Sequence, residues 1–303
     1  MDVGIIGCGF VSRLHVEAWQ AMDAKRIVYC DSDPSKKADY TDFYDMFKKE
    51  SLDAVSVCTT PFNHAEIIKE ALKHDCYVLV EKPFTCTSKE AEQFLGSKKV
   101  TVVHNEILES YLYEAWQFIK SGKLGEVYEA NIYLMATLKD AMTANLNHWS
   151  YKMRGGRITE CLPHPIYTAQ CLLGQDDLWV RNVFARPFPD RVTYRELRCV
   201  LTSNNARANI NVRLDALGDT SDVNVFGSLG VLKASLMPRM FHVKLYGKYN
   251  DGEEIMSTKR KHACMQPRCM IIRSLLDGQP IFTAEHAYYN IKIIDDILAE
   301  LEK

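Results

Sequence analysis

The first hundred residues alternate short apolar runs with helix-like stretches, and this alternation constrains the fold more than any other feature. The runs are Asp2 to Ile6, Arg26 to Cys30, Ala54 to Cys58, Tyr77 to Val80 and Val100 to Val103; helix-like stretches lie at Leu14 to Met22, Asn63 to His74 and Ser88 to Leu95. Such alternation predicts a parallel sheet with right-handed crossovers. Val78-Leu79-Val80 is apolar without a break, the pattern of a strand covered on both faces. It stops at Glu81-Lys82-Pro83, beyond the carboxyl end of a strand, where open α/β sheets bind their ligands.

The turn after the first run reads Gly7-Cys8-Gly9-Phe10-Val11-Ser12, a G-x-G-x-x-S form of the dinucleotide fingerprint in its required place between strand and helix. Gly7 permits the tight turn, Gly9 lets the main chain approach a pyrophosphate, and the amides around Phe10 and Val11 open the helix that meets its charge. Ser12 replaces the third glycine. Asp31 closes the second run, where a carboxylate binds the adenosine ribose hydroxyls. An acid there repels a 2′-phosphate and favours NAD, while Ser32, Lys36 and Lys37 keep NADP open.

A formal net charge of -2 gives no electrostatic case for nucleic acid or an anionic membrane. No apolar run reaches the ~18 residues of a membrane span, and the start MDVGIIGCGF lacks a basic leader, so a cytoplasmic chain is expected. The ten cysteines form no C-x-x-C pair and are expected to be reduced thiols, with no metal site.

Taken with Gly7-x-Gly9, His15 and Asp31, the segment D-A-V-S-V-C-T-T-P-F-N-H from Asp53 to His64 and the triplet Glu81-Lys82-Pro83 resemble the glucose-fructose oxidoreductase / inositol dehydrogenase / MocA family. The similarity continues through Gly122-Lys123-Leu124-Gly125, Gly155-Gly156, His164 and Gly227-x-x-Gly230 to the final helix from Ala284, nearly the whole chain. The resemblance implies a Rossmann domain, residues 1–105, and an α+β domain, residues 106–303, with a large, mostly antiparallel open sheet. It also implies that Thr59, Thr60, Pro61 and His64 line the cofactor, that Glu81 helps position it, and that Lys82 meets the nicotinamide ribose and the substrate oxygen. For His64, a capping or gap-filling role stays open.

The second informative cluster runs from Asn147 to Pro165. Its Gly155-Gly156 pair, Glu160 and His164 resemble the family's G-G-G-x-x-x-D-x-x-x-H segment, whose Asp and His serve catalysis. Positions four apart share a helical face. Pro163 and Pro165 restrict that geometry to a first or distorted turn. Glu160 is one methylene longer than the family's Asp, so it either touches substrate or orients His164. Trp149, Tyr151, Arg154, Arg157 and Tyr167 are of types that bind sugar hydroxyls, rings or carboxylates. Glu106 and Glu109 stand where the family often has Arg and Pro; they disfavour an anionic substrate if they face the pocket, or form a solvated helix face.

From Val180 to Gly247, polar and apolar residues alternate as in antiparallel strands with one covered face, the other being free for a homodimer or homotetramer contact. The segment Lys248 to His262 reads as a polar loop, and Ala284 to Glu302 as a packing helix. The expected function is NAD(P)-dependent hydride transfer to or from a secondary alcohol or carbonyl of a sugar, polyol or related small molecule. The catalytic residues would be Lys82, His164 and Glu160. A silent dinucleotide-binding sensor is the alternative from another class; a reductase of a non-sugar carbonyl or tetrapyrrole, or a glycosidase-like use of the nucleotide, is a third.

Overall fold

A computed structural model describes residues 1–139, 141–235, 240–245, 254–257 and 267–303. Its strands are β1 (Asp2–Ile6), β2 (Arg26–Cys30), β3 (Ala54–Val57), β4 (Tyr77–Val80), β5 (Val100–Val102), β6 (Val127–Thr137), β7 (Trp179–Pro187), β8 (Tyr194–Thr202), β9 (Arg207–Ala216), β10 (Thr220–Gly227), β11 (Gly230–Ser235), β12 (Met240–Leu245) and β13 (Glu254–Ser257). The helices are α1 (Ser12–Ala21), α2 (Phe43–Lys49), α3 (His64–Lys73), α4 (Ser88–Glu92), α5 (Ser110–Lys120), α6 (Ala141–Ala144), α7 (Arg157–Cys161), α8 (Pro163–Leu173), α9 (Pro267–Leu276) and α10 (Ala284–Leu301). The chain divides into two compact units, Met1–Asn105 with Met265–Ile291, and Glu106–Cys264 with Lys292–Lys303. Residues 265–291, grouped by the sequence with the second domain, cluster with the first.

The first unit carries a parallel sheet in the order β2-β1-β3-β4-β5. β3 is buried throughout and β4 at three of its four positions, as strands covered on both faces must be. The register pairs Ile6 with Cys30 and Val57, and Val57 with Val80. The residues that follow these four positions, Gly7, Asp31, Cys58 and Glu81, therefore leave the sheet along one edge. That edge is the carboxyl end. α9 packs on α1, β4 and β5, which brings a late segment of the chain onto the same sheet.

The second unit contains a sheet that, among the described residues, runs β13-β12-β11-β10-β6-β9-β8-β7. All its pairings are antiparallel except β6 with β9, which is parallel. Burial alternates residue by residue along β9, so one face is covered. It is covered by α8, which packs against β6 and β9 and is buried along most of its length, and by α5, which packs against β11 and β12. Part of the expected polar loop 248–262 lies outside the described residues, but Glu254–Ser257 forms β13. Nine cysteines are free thiols; the tenth, Cys264, is outside the described residues.

Candidate active site

At the fingerprint turn, Gly7 has φ +93, and a Cβ there would lie 2.7 Å from the carbonyl carbon of Cys58. Only glycine meets both conditions. A Cβ at Gly9 meets nothing within 4 Å, so open space stands beside that main chain. α1 begins with no side-chain cap and no acid in its first turn, leaving its amides for an anion. Ser12, in place of the third glycine, donates its hydroxyl to the Gly9 carbonyl at 2.7 Å and so ties the loop to the helix. Phe10 is exposed, with the Arg13 guanidinium 4.9 Å from its ring centroid, while Val11 is the N-cap residue.

Asp31 is bound into this loop. Its Oδ2 accepts the Cys8 N–H at 2.6 Å and its Oδ1 the Asp33 N–H at 2.9 Å. Each carboxylate oxygen has further lone-pair capacity, so ribose hydroxyls can still be accepted. Glycines, uncapped amides and this carboxylate together fit a dinucleotide.

The loops after β3 and β4 are braced by His64. Its ring is 0% exposed, with Nδ1 3.0 Å from the Pro83 carbonyl and 3.2 Å from that of Phe84, and Nε2 3.0 Å from the Thr59 carbonyl. Burial pushes its pKa down, against the carbonyl contacts that favour the charged ring. Both nitrogens face main-chain carbonyls, and a neutral ring donates to one side only. Thr59 and Thr60 are half-buried and Pro61 is buried on the same turn, with the Thr59 hydroxyl donating to the Thr60 carbonyl.

Glu81 ends β4 inside a buried polar chain. Trp19 Nε1 donates to Ser56 Oγ at 2.8 Å, Ser56 lies 3.0 Å from His15 Nδ1, and His15 Nε2 lies 2.9 Å from Glu81 Oε1. An indole N–H can only donate. An ionised Glu81 can only accept, so a neutral His15 carries its proton on Nε2 and takes the Ser56 hydrogen at Nδ1. Burial lowers the His15 pKa, consistent with that neutral ring. Burial alone would raise the Glu81 pKa, but the His15 hydrogen bond and the charges of Arg268 and Lys82 hold it well below the carboxylate range. Lys82 follows, half-buried, with its N–H 3.2 Å from Glu81 Oε2.

In the second unit, a proline interrupts the helical hydrogen bonding between Glu160 and His164. α7 ends at Cys161, and Pro163 opens α8 at its first position, where a missing N–H costs nothing. Leu162 between them keeps helical dihedrals, so the interruption is local. Glu160 is buried against Arg157 Nη1, which also lies 2.9 Å from Cys161 Sγ. The carboxylate on His164 is Glu106, whose Oε2 lies 2.9 Å from Nδ1.

Tyr167 completes the arrangement. Its hydroxyl is 2.7 Å from His164 Nδ1 and accepts the Glu106 N–H at 3.1 Å, while Ser221 Oγ donates to the other Glu106 oxygen. An ionised Glu106 draws the imidazole proton to Nδ1 and leaves the Nε2 lone pair free. Nε2 has no partner among the described residues, and the His164 side chain is 20% exposed. The geometry is that of an oriented general base.

The expected substrate residues are dispersed. Arg154 pairs with Glu302, both guanidinium contacts within 2.8 Å, and with Asp295. Arg157 belongs to the Glu160 pair, and Tyr167 is buried beside His164. Tyr151 donates its hydroxyl to the Thr143 carbonyl at 2.6 Å, and Trp149 packs on the His148 ring. Glu109 precedes α5 and is half-buried. Sequence reasoning missed the role of Glu106 and the whole of Arg268.

Comparison with known proteins gives a consistent picture. Residues 1–101 match a model described as an oxidoreductase family with an NAD-binding Rossmann fold, and residues 113–233 match the GFO/IDH/MocA C-terminal domain. D-apiose dehydrogenase of Paraburkholderia graminis is 31% identical over 104 residues, 31% of this chain and 28% of that protein. Myo-inositol 2-dehydrogenase of Thermotoga maritima is 22% identical over 202 residues, 61% of this chain and 58% of that protein. The chain thus matches less than two thirds of the length of either relative. Levoglucosan dehydrogenase, solved in complex with NADH and levoglucosan, superposes with a TM-score of 0.83 at 17% identity, over 100% of this chain and 97% of that one, and so shares the fold. No described helix is long and apolar enough to cross a membrane. Two domain models in the order of that family, a parallel sheet with an NAD-binding turn and a matching mixed sheet place this chain in the GFO/IDH/MocA oxidoreductase family.

Proposed function

We propose that the protein is an NAD-dependent dehydrogenase or reductase of a secondary alcohol or carbonyl on a sugar, polyol or related small molecule. The observation that carries the reading is His164: its Nδ1 is held by a carboxylate and a phenol while Nε2 is left open. Such an imidazole removes a hydroxyl proton, and general-base assistance of this kind contributes about 10²- to 10⁴-fold in rate. Lys82 supplies a cation for the alkoxide that develops as the proton leaves. NAD, held by the Gly7–Gly9 turn, the α1 amides and Asp31, supplies the hydride acceptor when bound. The Asp31 carboxylate supports NAD over NADP.

The related dehydrogenases of apiose and inositol support a polyhydroxy substrate. Glu106 beside the base makes an anionic substrate unfavourable, since its carboxylate would repel a second one nearby. The uncovered face of the β6–β13 sheet supports a homodimer or homotetramer, and sedimentation velocity checks it.

The experiment is nicotinamide absorbance at 340 nm over a panel of neutral sugars, polyols and their oxidised forms, with NAD(H) and NADP(H), and with Lys82→Ala and His164→Ala in parallel. Turnover of one class that falls at least 100-fold in both variants, while NADH still binds, supports the reading. Tight NADH binding without turnover of any member would sink it and favour a redox sensor.

A further inference from the structure

Lys82 is the cation on which the proposed chemistry depends, and its main chain is anchored by the side chain before it. Its N–H meets Glu81 Oε2, while Glu81 Oε1 receives two donors, His15 Nε2 and Arg268 Nη2, each at 2.9 Å. Arg268 lies on α9 and stands 187 residues from Glu81 in the chain. The two side chains are only 10% and 8% exposed. The Arg268 Nε is buried with no hydrogen-bond partner among the described residues. This guanidinium therefore gives up hydration for which the Glu81 carboxylate is the compensating contact.

The proton inventory explains why His15 cannot replace it. The His15 ring is 0% exposed, and burial favours its neutral form, a hydrogen-bond donor to Glu81 without a charge. A guanidinium stays charged across all accessible pH. We propose that Arg268 is a positioning residue of the Lys82 turn: the counter-charge to Glu81 that keeps both carboxylate oxygens engaged and so fixes the main chain from which Lys82 is displayed. This rests on the reading of Lys82 as the reacting cation, but the tie between Arg268 and the turn can be measured without turnover.

The test is amide hydrogen exchange of Lys82 by NMR in the full chain, compared with Val78, whose N–H is held by the Lys99 carbonyl within the sheet. Arg268→Met is expected to speed Lys82 exchange at least tenfold relative to Val78, to lower kcat at least tenfold, and to leave the NADH Kd within threefold. Arg268→Lys, which keeps the charge, is expected to stay within threefold of the wild type in relative exchange. Lys82 and Val78 moving in parallel in Arg268→Met, or Arg268→Lys being as damaging as Arg268→Met, would overturn the proposal. Selective loosening of Lys82 in a protein whose wild type turns over nothing would keep the tie and discard the dehydrogenase reading. If Arg268→Met does not fold, Arg268→Gln is read by the same criteria.

Discussion

Glu106 Oε2 lies 2.9 Å from His164 Nδ1, and this pair joins the short turn that opens the second unit to the first turn of α8. Under the proposed function, the carboxylate would fix the tautomer and the plane of the ring and stabilise the imidazolium formed when Nε2 takes a proton. Glu106→Gln keeps the shape but removes the charge. It is expected to lower kcat about 100-fold with NADH affinity unchanged, measured by steady-state kinetics and fluorescence titration. A kcat equal to wild type would exclude Glu106 as the orienting acid.

Glu160 stands in a different setting. It is buried with Arg157, both side chains under one tenth exposed, and removing one partner of such a pair takes away a charge that offsets the burial of the other. Glu160→Gln is expected to cost about 3 kcal/mol of stability, read from the urea midpoint. Its kcat, measured well below the unfolding transition, should change far less than in Glu106→Gln. Equal losses of activity in the two variants would return Glu160 to the chemistry.

These two glutamates mark where sequence reading reaches its limit. The parallel sheet was legible because its strands are buried on both faces and its turns carry Gly7, Gly9 and the Glu81-Lys82-Pro83 triplet in sequence. Such local signals need no tertiary context. The partner of His164 was not legible, because the i, i+4 rule selects Glu160 while Glu106 is remote in sequence. Glu106 reaches His164 only through the packing of α8, and Arg268 reaches Glu81 only because α9 returns to the first unit. Arg154 likewise meets Glu302 and Asp295 through tertiary packing, whereas the Arg157–Glu160 pair is an i, i+3 spacing present in the sequence itself.

Gly7 and Gly9 separate folding from binding. Alanine at Gly7 meets a positive φ and the Cys58 main chain, a conformational cost of about 1–3 kcal/mol before any clash. Gly7→Ala should therefore lower the urea midpoint and abolish NADH binding together. Alanine at Gly9 meets no protein atom within 4 Å, so stability should stay within about 0.5 kcal/mol of the wild type. NADH affinity should nonetheless fall about tenfold or more, since the methyl occupies space the pyrophosphate approaches. Unaltered NADH affinity in Gly9→Ala would place the dinucleotide elsewhere.

Stability should fall with acid in two stages, and the sign follows from the direction of three shifts. Burial lowers the pKa of His15 and of His64 below the ordinary 6.5, so the unfolded chain binds protons there that the folded chain refuses. Their contribution is complete above that value and is lost as pH falls below it. Glu81, held far below the ordinary 4.5 by His15, Arg268 and Lys82 against its burial, adds a second loss as pH falls below that value. Each group contributes a slope of up to about 1.4 kcal/mol per pH unit. Urea midpoints should therefore decline from pH 7 to 5, and more steeply below 4.5. His15→Gln should flatten the first stage, because glutamine takes no proton, and Glu81→Gln should flatten the second. A wild-type midpoint that holds or rises between pH 7 and 5 would mean that these two histidines are not buried in the neutral form, and the hydrogen-bond chain from Trp19 to Glu81 would have to be reassigned.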